Sequence, residues 1–205
     1  MNLFYLLTSL LFSLFLRLFF GLQCKGRFPK IRGGAVIVAN HHSFLDPMVL
    51  CGSCFPHLVH FLARKTLFSH FPLGLFLRLN KVIALDQTNP SEALLHAIFL
   101  VKCGHKVALF PEGTRSRDGR LREGKRGIGL IVCKTRCPIV PVYIKGTYKA
   151  WKQGRRFPRL FTKVRCVFGE PIFWEQCPEQ SHRDSQMWIV REVMRRLDAL
   201  QREEE

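Results

Sequence analysis

The chain predicts an α/β fold: a mostly parallel central sheet flanked by helices on both faces, preceded by an apolar, membrane-associated N-terminal helix. Three observations carry this expectation. Short continuous apolar runs such as Ala35-Val36-Ile37-Val38-Ala39 lack polar alternation, as strands buried on both faces do. Segments of helical period lie between them, so strands and helices alternate. Residues 1–22 are almost wholly apolar. At 205 residues, with 47% hydrophobic residues and 18 Phe, the chain is long and apolar enough to bury the core of one such domain.

The apolar run from Met1 to Leu22 is interrupted only by small polar residues and Arg17. Roughly 20 apolar residues cross a bilayer core, but Arg17 can snorkel, so a spanning helix and a helix lying in one leaflet both stay open. No basic region precedes the run and no small-residue cleavage site follows it, which sets it apart from a secretory signal. Lys25, Arg27, Lys30 and Arg32 come next, a cluster suited to the cytoplasmic side and to anionic headgroups. Residues 1–24 are therefore expected to anchor the chain at a membrane. Residues 25–205 are expected to form the folded domain on its cytoplasmic face.

Ala35–Ala39, bounded by Gly33-Gly34 and Asn40, reads as the first buried strand. Pro47 suits a helix start, continued by Met48-Val49-Leu50. His60–Ala63 and Lys81–Leu85 read as strands. Pro90 opens a helix to about Lys102, with Ser91 as its cap and Leu94, Leu95, Ile98 and Phe99 as its apolar face. Gly104 stops it, and Lys106–Phe110 is another strand. A helix over Gly127–Cys133, strands over Ile139–Ile144 and Thr162–Phe168, and a final helix from Ser181 to about Arg202 complete the pattern. In that last helix Met187, Val190, Val193, Met194, Leu197 and Leu200 keep helical spacing. Glu203-Glu204-Glu205 reads as a solvated tail.

Lys and Arg number 32 against 15 Asp and Glu, a net charge of +17, so the partners are anionic: nucleic acid, lipid headgroups or phosphorylated substrates. No helix-turn-helix or RNA-binding aromatic motif is visible and the basic residues are scattered, so no nucleic acid is expected. Among the 8 cysteines, Cys51-x2-Cys54 and Cys133-x3-Cys137 formally offer four zinc ligands. Both pairs continue apolar segments, where cysteine acts as a small hydrophobe, and no metal is expected. Disulfides are not expected in a cytoplasm-facing domain.

Two turns carry chemistry. Asn40-His41-His42-Ser43-Phe44-Leu45-Asp46 follows a strand and places a carboxylate within reach of an imidazole, the makings of a general base. His42 and Asp46 would be neighbours on a continuous helix, whereas His41 must reach Asp46 across a turn; both histidines are candidates. Phe110-Pro111-Glu112-Gly113-Thr114-Arg115-Ser116 also follows a strand, and Arg115 offers a planar fork suited to phosphate. Both turns fall at the strands' C-terminal ends, where open α/β sheets place their sites.

These motifs, with Val140-Pro141-Val142, resemble the first, third and fourth motifs of the glycerolipid acyltransferases, especially the 1-acylglycerol-3-phosphate acyltransferases, from about Ala35 to Gly169. The resemblance implies that residues 25–205 are an acyltransferase catalytic domain. Its donor would be a thioester of acyl carrier protein or coenzyme A, its acceptor the hydroxyl of a lysophospholipid, and its product phosphatidic acid. It implies His41 as the base, Asp46 as its orienting partner, and Glu112, Gly113, Thr114 and Arg115 as the acceptor site, with Arg115 on the phosphate. Lys125 matches a basic position that follows this motif, and Val140–Val142 would line the acyl site. No cofactor is implied, because a thioester is already an activated donor.

One motif departs from the pattern. Near Val82–Gln87 the family usually carries Arg where this chain has Gln87, and Gly where it has Lys81. Arg64, where the family commonly has Lys, and Lys81 are candidates to supply the missing charge. The departure leaves glycerol-3-phosphate or another lysophospholipid as alternative acceptors. A basic membrane- or nucleic-acid-binding module, or a membrane-docked structural protein, would not need His41, Asp46 and Glu112 together.

Overall fold

A computed structural model describes residues 3–178 and 181–205. Helix α1 (Leu3–Phe20) leads into β1 (Gln23–Lys25) and then β2 (Ala35–Ala39), α2 (Asp46–Ser53) and β3 (Val59–Arg64). There follow α3 (Leu73–Leu79), β4 (Ile83–Leu85), α4 (Pro90–Lys102), β5 (Lys106–Leu109) and α5 (Gly127–Thr135). The chain finishes with β6 (Ile139–Lys145), α6 (Thr147–Trp151), β7 (Arg165–Phe168) and α7 (His182–Arg202). The seven strands form one sheet in the order β1-β7-β6-β2-β5-β3-β4. Strands β6, β2, β5, β3 and β4 are mutually parallel, while β7 is antiparallel to β6 and carries β1 parallel to itself.

Strand β2 is buried along its whole length, as its unbroken apolar run requires. Its side chains alternate between two cores. Ile37 and Ala39 join Leu16, Phe20, Val49 and Leu50 on the α1–α2 side. Val36 and Val38 join Ala97, Ile131, Val193 and Leu197 on the side covered by α4, α5 and α7. The paired cysteines divide the same way, Cys51 and Cys54 in the first core and Cys133 and Cys137 in the second. The two pairs therefore lie on opposite faces of the sheet.

Several sequence expectations are corrected. The cap of α4 is Asn89 rather than Ser91, which lies inside the helix. The helix turns Ala93, Ala97, Ile98 and Val101 to the sheet, leaving Leu95 at 64% and Phe99 at 61% exposed; close approach to a sheet favours the small alanines over the bulkier residues that hydropathy alone selects. Glu204 is no solvated tail residue. Its carboxylate receives Lys25 Nζ at 3.1 Å and Arg165 Nη1 at 2.6 Å, tying the end of α7 to β1 and β7.

Helix α1 is docked on the domain by its more polar side. Tyr5, Thr8, Ser9, Ser13, Leu16 and Phe20 are buried, and Tyr5 Oη accepts the backbone N–H of Val59. The approach to α2 is close: a Cβ on Gly52 would come within 2.8 Å of Ser13 N. Leu3, Leu7, Leu10, Leu11, Leu14 and Leu18 face outward. The boundary expected between residues 24 and 25 falls within β1, which pairs with β7.

Candidate active site

The first turn leaves β2 at Asn40, whose amide is bracketed by β6. Its Oδ1 accepts the N–H of Ile144 at 2.7 Å and its Nδ2 donates to the carbonyl of Ile144 at 2.9 Å. Side-chain amides that complete both halves of a backbone pair fix their own orientation. The turn that follows closes on Asp46, which opens α2 and is fully buried. One carboxylate oxygen, Oδ2, receives His41 Nδ1 at 2.9 Å and the backbone N–H groups of His42 and Ser43 at 2.6 and 2.7 Å. Three donors thus converge on one oxygen of a fully buried side chain and fix its orientation. His41 is thereby held with its proton on Nδ1, leaving Nε2 free to accept one. Its ring lies flat against Phe110, centroids 4.1 Å apart.

The structure separates the two histidines. Because α2 starts at Asp46, no continuous helix joins His42 to Asp46; His42 gives the carboxylate only its backbone N–H. Its ring is buried, and its Nδ1 faces Asn40 Nδ2 at 3.2 Å. Burial first, and then the neighbouring His41, push its pKa down, so the ring is neutral. His41 keeps a partly exposed side chain, 18% accessible, and is the imidazole that carries the Asp46 contact.

The second turn clamps the first. Glu112 Oε1 accepts the N–H of His41 at 2.8 Å and the N–H of Ser116 donates to the carbonyl of His41 at 2.8 Å. Glu112 is thus buried beneath His41, a bracing position that the sequence pattern did not reveal. Burial raises its pKa to about 7, opposed by the His41 N–H. Gly113 adopts φ +67°, and a Cβ there would sit 2.8–2.9 Å from the outer atoms of Lys125. Lys125 therefore lies across the turn, its own N–H donating to the Pro111 carbonyl.

Thr114 is exposed. The guanidinium of Arg115 is stacked 3.5 Å over the ring of Phe44, which packs on Trp151. Burial and then the charge of Arg64 disfavour its protonated form, so two guanidiniums converge where an anion would relieve them. Phe44 was the unread signal here: an aromatic inside the first motif that orients the Arg of the second. Arg64 is exposed at the C-terminal end of β3, level with Leu85 of β4. Lys81 precedes β4, and its carbonyl meets His60 Nδ1 near the start of β3. It therefore lies at the opposite end of the sheet from Arg64 and does not supply the missing charge. Val140, Pro141 and Val142 are buried in β6, paired with β2.

A family model described as Acyltransferase matches residues 22–145, a span that includes both turns and β6. The chain belongs to the acyltransferase family. It is 34% identical over 141 residues to a chloroplastic 1-acyl-sn-glycerol-3-phosphate acyltransferase of Brassica napus, covering 67% of this chain and 40% of that one. To the 1-acyl-sn-glycerol-3-phosphate acyltransferase of Bacillus subtilis it is 31% identical over 144 residues, covering 68% and 67%. The crystal structure of the 1-acyl-sn-glycerophosphate acyltransferase PlsC from Thermotoga maritima superposes with a TM-score of 0.70 at 29% identity, covering 88% of this chain and 72% of that one. The chain spans about two fifths of the length of the Brassica napus relative and of a chloroplastic 1-acyl-sn-glycerol-3-phosphate acyltransferase of Arabidopsis thaliana, 40% and 39%. Within this family chain the buried Asp46, His41 and the braced Arg115 turn form one hydrogen-bonded unit at the C-terminal edge of β2 and β5.

Proposed function

We propose that this chain is a 1-acylglycerol-3-phosphate O-acyltransferase, moving an acyl group from a thioester of coenzyme A or acyl carrier protein to the sn-2 hydroxyl of 1-acylglycerol-3-phosphate. The product, phosphatidic acid, feeds phospholipid synthesis. The observation that carries this reading is the 2.9 Å contact between His41 Nδ1 and buried Asp46, in a turn whose backbone is clamped by the turn that bears Arg115. His41 Nε2 takes the hydroxyl proton as the acceptor oxygen attacks the thioester carbonyl, and Asp46 stabilises the imidazolium. The C–S bond then breaks, the ester C–O bond is kept, and the departing thiolate takes the proton from His41. Direct attack needs no covalent enzyme intermediate; positioning and the base supply the rate.

Arg115, Arg64, Lys125, Gly113 and Thr114 form the acceptor side, with Arg115 as the phosphate fork, and Glu112 positions His41. The names of the relatives, which include this acceptor, support the choice. Helix α1 supports action at a membrane: its polar side is packed on the protein and its leucines face out, the reverse of a helix bathed in water. Docked along its length, it suits a position within one leaflet. Arg27, Lys30 and Arg32 then meet the headgroups on the cytoplasmic face, while Lys25 is held by Glu204.

The test supplies a labelled acyl-coenzyme A to membranes holding wild type or His41→Ala, with lysophosphatidate, glycerol-3-phosphate and other lysophospholipids as acceptors. Wild type should label lysophosphatidate preferentially, and His41→Ala should label none while remaining folded and membrane-bound. Full activity in His41→Ala would sink the mechanism. Preference for glycerol-3-phosphate would move the assignment to that acceptor, a possibility tied to Gln87, exposed just past β4.

A further inference from the structure

On the other side of His41 from Arg64 lies a cavity of about 510 Å³ lined by His42, Asp118, Lys145, Lys149, Lys163 and Arg165, with Tyr143 and Tyr148 among its walls. The sheet order fixes this placement. Strands β7 and β6 bear the cavity, β2 bears His41, and β5 and β3 bear Glu112 and Arg64. The turn at Ser116–Gly119 reaches from the active site to the cavity rim, held there by the Tyr148 Oη–H bond to the Arg117 carbonyl at 2.8 Å.

The cavity is equipped for an anion. Arg165 is already engaged by Glu204 at 2.6 Å, but Lys145, Lys149 and Lys163 pair with no carboxylate among the described residues. The lining carboxylate, Asp118, accepts from Ser116 Oγ at 2.8 Å and from the N–H of Arg120 at 3.1 Å, so its charge is partly spent locally. His42 adds a second, independent observation. It is 97% buried, being 3% exposed, and its Nε2 has no hydrogen-bond partner. Because Asn40 is locked onto Ile144 and presents an N–H to His42 Nδ1, the neutral ring carries its proton on Nε2. The ring lies in the cavity wall, and an unpartnered buried N–H donor there costs free energy.

We propose that this cavity is a second phosphate site, separate from the Arg64–Arg115 side, and that it holds the phosphate of the pantetheine arm of the acyl donor. The inference rests on the acyltransferase reading given above. It places donor and acceptor phosphates on opposite sides of one base, so the thioester carbonyl and the acceptor hydroxyl meet over β2. The phosphate is common to coenzyme A and to acyl carrier protein, so both donors would use the same lysines.

The test is Lys149→Ala/Lys163→Ala in the full chain, with binding of coenzyme A measured directly at low and high salt, and with separate KM values for acyl-coenzyme A, acyl carrier protein thioester and lysophosphatidate. Loss of two charge-assisted contacts should weaken coenzyme A binding by roughly tenfold or more at low salt, less at high salt. The KM of both donors should rise and that of lysophosphatidate should stay. A rise for coenzyme A alone would place its nucleotide phosphates there instead and overturn the shared-arm assignment. Unchanged donor affinity, or a rise for lysophosphatidate only, would overturn the site. If wild type transfers no acyl group yet binds coenzyme A through these lysines, the site stands and the proposed reaction falls.

Discussion

Replacing Asp46 by Asn isolates the charge behind His41, the proposed base, from the shape around it. In wild type the Oδ2 atom gathers three donors while Oδ1 has no partner. An Asn can keep its carbonyl on the three donors and place its amide where Oδ1 was, so the turn should hold. What disappears is the negative charge beside the imidazolium of the proposed transfer. Two unit charges about 4 Å apart at an effective dielectric of about 20 interact by about 4 kcal/mol. Hydrogen bonds to a neutral carbonyl are also about half as strong as those to a carboxylate. At about 1.4 kcal/mol per tenfold in rate, kcat should fall by about 100- to 1000-fold. The KM values of donor and acceptor should stay, because Asp46 is fully buried and meets neither. Steady-state kinetics with labelled acyl-coenzyme A would show it. A kcat within tenfold of wild type, or a loss confined to KM, would refute the assignment of Asp46 as the charge that supports His41.

Glu112→Gln should keep the bond to the His41 N–H while removing a carboxyl whose pKa is raised to about 7 by burial. Folded Glu112 holds its proton more tightly than the unfolded chain does, so its contribution is present below about pH 4.5 and lost as pH rises through about 7. The Gln variant should therefore gain in stability over wild type between pH 5 and pH 8, by up to about 3 kcal/mol, read as a widening difference in thermal midpoint; parallel curves would count against it. Gly113→Ala meets Lys125 and a φ of +67°, at a backbone cost of about 1–2 kcal/mol. Displacing Lys125 should raise the KM for a phosphorylated acceptor several-fold, and an unchanged value would remove Lys125 from the acceptor side. Glu204→Ala should cost about 1–2 kcal/mol in chemical denaturation by unpairing Arg165 and leaving Lys25 only its 3.9 Å contact to Glu203, a discounted figure because both cations are half exposed; a neutral result would make the α7 terminus dispensable.

Much of this was legible along the chain. Unbroken apolar runs marked β2 and β6, because strands covered on both faces carry no alternation. The His41–Asp46 spacing and the Arg115 turn were visible as candidate chemistry. Less legible was the side each helix would present. Hydropathy chose Leu95 and Phe99 for the buried face of α4, while the sheet takes Ala93 and Ala97. Similarly, composition could mark α1 as apolar but not show that its serines and threonine face the protein.

The sequence by itself determined the alternation of strands and helices, the residue types of the site, and the excess of positive charge. Only the tertiary structure decided which imidazole meets Asp46, that Glu112 braces the backbone of His41, and that three lysines line a cavity beside it. Those outcomes rest on contacts such as Glu112 to His41, 71 residues apart, and Asn40 to Ile144, 104 apart. Hydropathy is a local quantity, whereas such hydrogen bonds depend on which strands become neighbours, and that order is settled only when the two faces of the sheet are packed together.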